Sequence, residues 1–145
     1  MKQIITKSFE QTRKLGEEFA ASLKGGTVIS LHGNLGSGKT TFVQGLAKGL
    51  GIEKNIISPT FIIMRTYEPG LKIKDVRFKN FYHVDLYRIE SERDVEGLGL
   101  LELINDPENI VVIEWPDKIE HLLPEKRIDI VFEYLENDKR KIVFE

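Results

Sequence analysis

Residues 33 to 41 read GNLGSGKTT, nine positions with almost no side chain to pack. From Gly33 to Thr40 they match G-x-x-x-x-G-K-[ST] in full, directly after the apolar run TVISLH. The chemistry this composition suits is phosphate binding. Glycines let the backbone curl until successive N–H groups point inward at phosphate oxygens, and a helix starting there turns its positive end toward the same charge. Gly33, Asn34, Leu35, Gly36, Ser37, Gly38, Lys39, Thr40 and Thr41 are therefore candidate nucleotide-binding residues. Lys39 is expected to reach the β and γ phosphates of ATP, and the Thr40 hydroxyl to ligate Mg²⁺. The plain alternative is a flexible turn that only caps a helix.

A phosphate cradle also needs a carboxylate for the metal shell, at the carboxyl end of a neighbouring strand. Asp85 ends FYHVD and Glu114 ends IVVIE. Because IVVIE reads as the cleaner central strand, Glu114 is the expected Mg²⁺ partner, direct or through water. Asp85 is then the second metal ligand or the group that orients the attacking water, and the two roles are interchangeable at this level. SPT, residues 58 to 60, reads either as an ordinary turn or as a segment stiffened by Pro59 that would bring the Thr60 hydroxyl to the γ-phosphate as a sensor of ATP against ADP. Trp115 follows Glu114 and reads either as core or as a contact surface. His83 shares a strand face with Asp85, and a single histidine there reads as a packed or hydrogen-bonded residue rather than a base. Arg65, Arg88 and Arg140 are available as an arginine finger, but no spacing singles one out.

Several elements must position these groups. KQIIT (2 to 6) has strand character, and Ser8 with Gln11 has capping-box spacing for a helix from about Phe9 to about Leu23, with Leu15, Phe19 and Leu23 on one face. TVISLH suits a strand buried on both faces, and Thr40 to Leu50 has helical spacing up to Gly51. Strands are expected within 56 to 68 and 76 to 88. Ser91 with Asp94 should cap a weak helix carrying Val95, Leu98, Leu101 and Leu103, since Gly97 and Gly99 lie inside it. IVVIE gives another central strand, broken by WPDK, and RIDIVFEYL (127 to 135) with KIVFE (141 to 145) reads as an antiparallel hairpin. Lys72, Lys74, Arg77 and Lys79 read as charge protecting a sheet edge, ahead of the alternative of a docking patch for RNA. The order predicts an α/β P-loop-like three-layer fold whose parallel central sheet is extended by antiparallel strands.

Whole-chain properties narrow the function classes. The 145 residues, with 41% hydrophobic content, suit one domain over residues 1 to 145. Twenty-one Lys plus Arg against 23 Asp plus Glu leave a formal charge of -2, so no global positive field gathers nucleic acid. Without cysteine there is no disulfide framework, thiolate nucleophile or Cys-ligated metal. No apolar run nears the ~20 residues of a membrane span, which predicts a soluble, cytoplasmic protein with no membrane partner.

GNLGSGKTTF, then SPTF, HVDLYR and IEWPDK, in this order over so short a chain, resemble the TsaE (YjeE) family, the bacterial P-loop ATPases of tRNA threonylcarbamoyladenosine biosynthesis. The resemblance implies an ATPase acting with two proteins, TsaD and TsaB, on the adenosine next to the anticodon, with tRNA met only through that complex. It implies that Gly33 to Thr41 bind the phosphates, that Thr40 and Glu114 hold Mg²⁺, that Asp85 and Thr60 complete the hydrolytic centre, and that Trp115 lies near the nucleotide. It further implies adenine near Lys7 to Phe9 and near Arg140. From the residues alone, a small-molecule P-loop kinase and a nucleotide-gated binding module remain the alternatives.

Overall fold

The computed structural model describes residues 2–57, 63–70 and 77–145. Thr60, Lys72 and Lys74 lie outside them.

Among the described residues seven strands form one sheet: β1 (Lys2–Thr6), β2 (Val28–His32), β3 (Met64–Tyr67), β4 (Asn80–Asp85), β5 (Asn109–Glu114), β6 (Ile128–Tyr134) and β7 (Arg140–Phe144). Their order is β1-β7-β6-β2-β5-β4-β3. The four central strands β6, β2, β5 and β4 run parallel. Antiparallel β7 and β1 extend one side and antiparallel β3 the other. The three-layer α/β reading is met, including the terminal hairpin. All six residues of β5 are buried, as expected of a strand covered on both faces.

Two helices, α1 (Phe9–Phe19) and α2 (Lys39–Gly49), cover one face. Ile29, Leu31, Phe81, Ile110, Val112 and Ile130 of the sheet pack there with Phe42, Val43 and Leu46 of α2. The opposite face carries α3 (Arg93–Glu96), α4 (Leu100–Asn105) and a kinked 3-10 segment, Pro116–Leu122, over Val84, Val111 and Ile113.

Local signals explain most boundaries. Ser8 Oγ accepts from the Gln11 N–H at 3.1 Å, and the Gln11 side chain accepts from the Lys7 N–H at 2.7 Å, so the cap forms one residue wider than the ideal box. The α-helix stops at Phe19 and tightens into a 3-10 turn, Ala20–Ser22, short of the expected end near Leu23. The predicted single helix after Ser91 is two short ones. Gly97 and Gly99 break it, and the restart shifts the buried phase to Leu100 and Ile104, leaving Leu101 47% exposed. The Ser91 with Asp94 cap forms from the Asp94 side, whose carboxylate accepts from the Glu90 and Ser91 N–H groups.

Backbone contact brings α1 against α2. A Cβ on Gly45 would fall 1.8 Å from the Arg13 carbonyl oxygen, and one on Gly16 would fall 2.3 Å from that of Phe42. Alanine inside a helix normally gains about 1 kcal/mol over glycine. At Gly45 the clash is with backbone that no rotamer change relieves, and the overpacking penalty of about 1–3 kcal/mol reverses the sign. Gly45→Ala is expected to lower the midpoint of thermal unfolding followed by circular dichroism; an unchanged or raised midpoint would refute this account of the helix crossing.

Candidate functional site

β2 ends at His32 on the same edge of the sheet as β4 and β5, so the loop, Asp85 and Glu114 emerge together. Asp85 and Glu114 are direct neighbours in the parallel register. Alternation along each strand turns Asp85, His83 and Glu114 toward the α2 layer, with Phe81, Ile110 and Val112. Three signals far apart in the chain thus converge because parallel strands end at a common edge.

The loop leads into α2 through left-handed glycines. Gly36 has φ +77°, and a Cβ there would meet nothing within 4 Å, so the space above it is open. Gly38, at φ +105°, is the N-cap of α2, with the aliphatic stem of Arg140 lying over it. Ser37 is buried beneath the loop, while Asn34 and Leu35 stand exposed on its rim. The resulting cleft of about 280 Å³ is lined by Leu35, Gly36, Gly38, Lys39, Thr40, Thr41, Asp85, Glu114, Trp115 and Arg140.

Lys39 is the centre of this cleft. It is 5% exposed, its Nζ donates to the Gly33 carbonyl at 2.6 Å, and it stands 3.9 Å from the centroid of the Trp115 ring. Burial pulls its pKa below the ordinary 10.5, opposed by the negative charge of Glu114, then Asp85, then Asp117. An ammonium held this way is desolvated and already balanced toward anionic company.

The carboxylates are equally enclosed, Asp85 at 4% and Glu114 at 3% exposure. Asp85 Oδ1 accepts from the Tyr87 N–H at 2.9 Å. The Glu114 carboxylate meets His83 Nε2 at 2.5 Å. Trp115, with φ +59°, is half-buried and tilted against Tyr87 at 5.0 Å between ring centroids. It is neither plain core nor a free surface: it forms one wall of the cleft.

Among the described residues no group of three or more His, Asp or Glu side chains is arranged to hold a metal ion. Two buried carboxylates beside the Thr40 hydroxyl are instead what a Mg²⁺ needs when phosphate and water complete its shell. Arg140 closes the other side, its guanidinium 4.4 Å from the Tyr134 ring centroid. Its Nε and Nη1 are buried with no hydrogen-bond partner among the described residues.

The structure therefore gathers the Lys39, Thr40, Thr41, Asp85, Glu114, Trp115 and Arg140 candidates into one cleft. It does not bring in Phe9, which is half-exposed on the first turn of α1 with its ring under Arg13. Of the arginines considered as fingers, Arg140 lines the cleft, whereas Arg65 sits in β3 opposite His83. A contact that sequence reasoning left unused is His83 with Glu114. Its only signal was the shared parity of His83 and Asp85, which does not reveal the strand next door.

A parallel sheet whose central strand runs through G-x-x-x-x-G-K-T into a covering helix defines a P-loop protein. Residues 6–142 match the family model described as threonylcarbamoyl adenosine biosynthesis protein TsaE. The chain belongs to the TsaE family. It is 40% identical to the tRNA threonylcarbamoyladenosine biosynthesis protein TsaE of Bacillus subtilis, over 93% of this chain and 79% of that protein. It is also 40% identical to the protein of the same name from Rickettsia bellii, over 95% and 90% respectively. Among solved structures it is similar to the crystal structure of YdiB from Bacillus subtilis, with a TM-score of 0.78 and 35% identity, covering 99% of this chain and 84% of that one.

Proposed function

We propose that this chain is the ATP-hydrolysing component of tRNA threonylcarbamoyladenosine biosynthesis, Mg²⁺-dependent, slow alone and accelerated by the partner proteins TsaD and TsaB. The observation that carries the ATPase reading is the buried Lys39 ammonium at the loop mouth, with two buried carboxylates at adjacent strand ends. The biosynthetic role is supported by family membership and by the names of the relatives. No helix among the described residues is long and apolar enough to cross a membrane.

Phosphoryl transfer asks for positioning and charge neutralisation rather than covalent help. The loop N–H groups and the N-terminus of α2 receive the phosphate oxygens, and Lys39 reaches the β and γ positions. Thr40 and Glu114, the latter direct or through water, would hold Mg²⁺, which when bound would supply charge neutralisation. Asp85 aligns the attacking water or supplies the second ligand. Trp115 screens the reacting centre from solvent, and Arg140 offers its guanidinium to the nucleotide from the hairpin side. Thr60, from SPT, senses the γ-phosphate. The formal charge of -2 fits a component that meets tRNA through the complex rather than by a field of its own.

The test is calorimetric titration of the purified chain with ATP and magnesium, followed by phosphate release measured alone and with TsaD and TsaB. Binding is expected, with slow turnover that rises severalfold or more on assembly. A well-folded chain that evolves no heat with ATP, or a rate identical with and without partners, would count against the proposal. Transfer of label to a metabolite instead of water would favour a kinase.

A further inference from the structure

We infer that His83 is a positioning residue for Glu114, fixing one carboxylate oxygen so that the other is presented to the nucleotide cleft; this rests on the ATPase reading above. His83 and Glu114 lie on adjacent parallel strands, with His83 opposite Val112, so Glu114 is its diagonal neighbour on the same face. Their side chains are 0% and 4% exposed, and His83 Nε2 stands 2.5 Å from Glu114 Oε2. A carboxylate only accepts, so the imidazole donates from Nε2. The bond occupies Oε2 and leaves Oε1 for the cleft that Glu114 lines.

Two further observations separate this from simple packing. Glutamate reaches the cleft through three rotatable bonds, and among the described residues the imidazole is the donor that restrains them. A carboxylate whose rotamer is set by a hydrogen bond is the arrangement by which outer groups hold a metal-shell or water-orienting group in register. The imidazole also has a cost: its Nδ1 is buried with no partner among the described residues. An unsatisfied buried polar atom counts against stability, so an apolar side chain would serve packing alone better. What keeps a histidine in the middle of β4 is the bond made by its other nitrogen.

The experiment compares the unaltered full chain with His83→Leu and His83→Gln, assayed with TsaD, TsaB, ATP and increasing magnesium. Glutamine can place an amide nitrogen where Nε2 stood, whereas leucine keeps the apolar volume and loses the donor. His83→Leu is expected to bind ATP within about threefold of the unaltered chain while its kcat falls roughly ten- to a hundredfold and its magnesium requirement rises. His83→Gln is expected to recover most of kcat. If His83→Leu does not fold, His83→Asn, too short to span the gap, takes its place with the same expectation. A second readout needs no nucleotide: nitrogen NMR of the imidazoles should show Nε2 of His83 carrying the proton and shifting in Glu114→Gln. Turnover in the folded leucine or asparagine variant equal to the unaltered rate, a glutamine variant no better than leucine, or an unprotonated Nε2 would each overturn the inference. Absence of turnover in the unaltered chain with both partners instead fells the ATPase reading and this inference with it.

Discussion

Lys39→Ala is expected to cost about a hundred- to a thousandfold in ATP turnover, with a marked loss of ATP affinity, measured as phosphate release and calorimetric titration. The size follows from location. The ammonium is 5% exposed, so its attraction for phosphate is not diluted by water. Its contacts in the free protein, a carbonyl and an aromatic face, are ones an anion can replace or join. The same burial gives a pH signature. In the free protein Lys39 loses its proton below 10.5, so the alkaline limb of kcat/KM, which reports the free protein, should begin below that value. In the window between its folded pKa and 10.5, the unfolded chain holds the proton that the folded chain has released, so deprotonation of this group adds to stability as pH rises. A kcat/KM that declines there while the fold persists is therefore not explained by unfolding. An alanine variant with ordinary affinity and rate would remove the basis of the proposed function.

Glu114→Gln is the second large effect. The amide is nearly isosteric and can remain buried at the end of β5, but it lacks the negative charge that Mg²⁺ coordination or water alignment demands. ATP binding is expected to stay within a few-fold, because the loop amides and Lys39 are untouched. Turnover is expected to drop by roughly two to three orders of magnitude. That split between binding and hydrolysis also decides between an ATPase and a nucleotide-gated module. If the variant binds ATP, fails to cleave it, and still supports tRNA modification through many cycles, then occupancy alone matters. If modification stops after the first cycles, hydrolysis is the working step. A variant whose ATP binding collapses with its turnover would instead assign Glu114 a role in holding the nucleotide.

Much of this was legible in the chain because it is written locally. A glycine-rich turn between an apolar run and a helical pattern, a β-branched run long enough for one buried strand, and a hairpin at the end all depend on near neighbours. The misreadings have local causes too. Glycines at 97 and 99 reset the helical phase, and the first α-helix tightens into a 3-10 turn after Phe19. The close crossing at Gly16 and Gly45 left no mark, because a glycine kept for want of space looks in sequence like a glycine kept for its turn.

By itself the sequence determined the kind of chemistry: main-chain amides, one lysine and one hydroxyl in a spacing that suits phosphate, with two acidic residues at strand ends. The tertiary structure decided which groups share the cleft and in what state. Strand order puts β4 beside β5 and so pairs His83 with Glu114, which are 31 residues apart in the chain. It lays Arg140 over the loop and leaves Phe9 outside. Side-chain identity is carried along the chain, but burial, desolvation and register are properties of neighbours that only a folded sheet brings together.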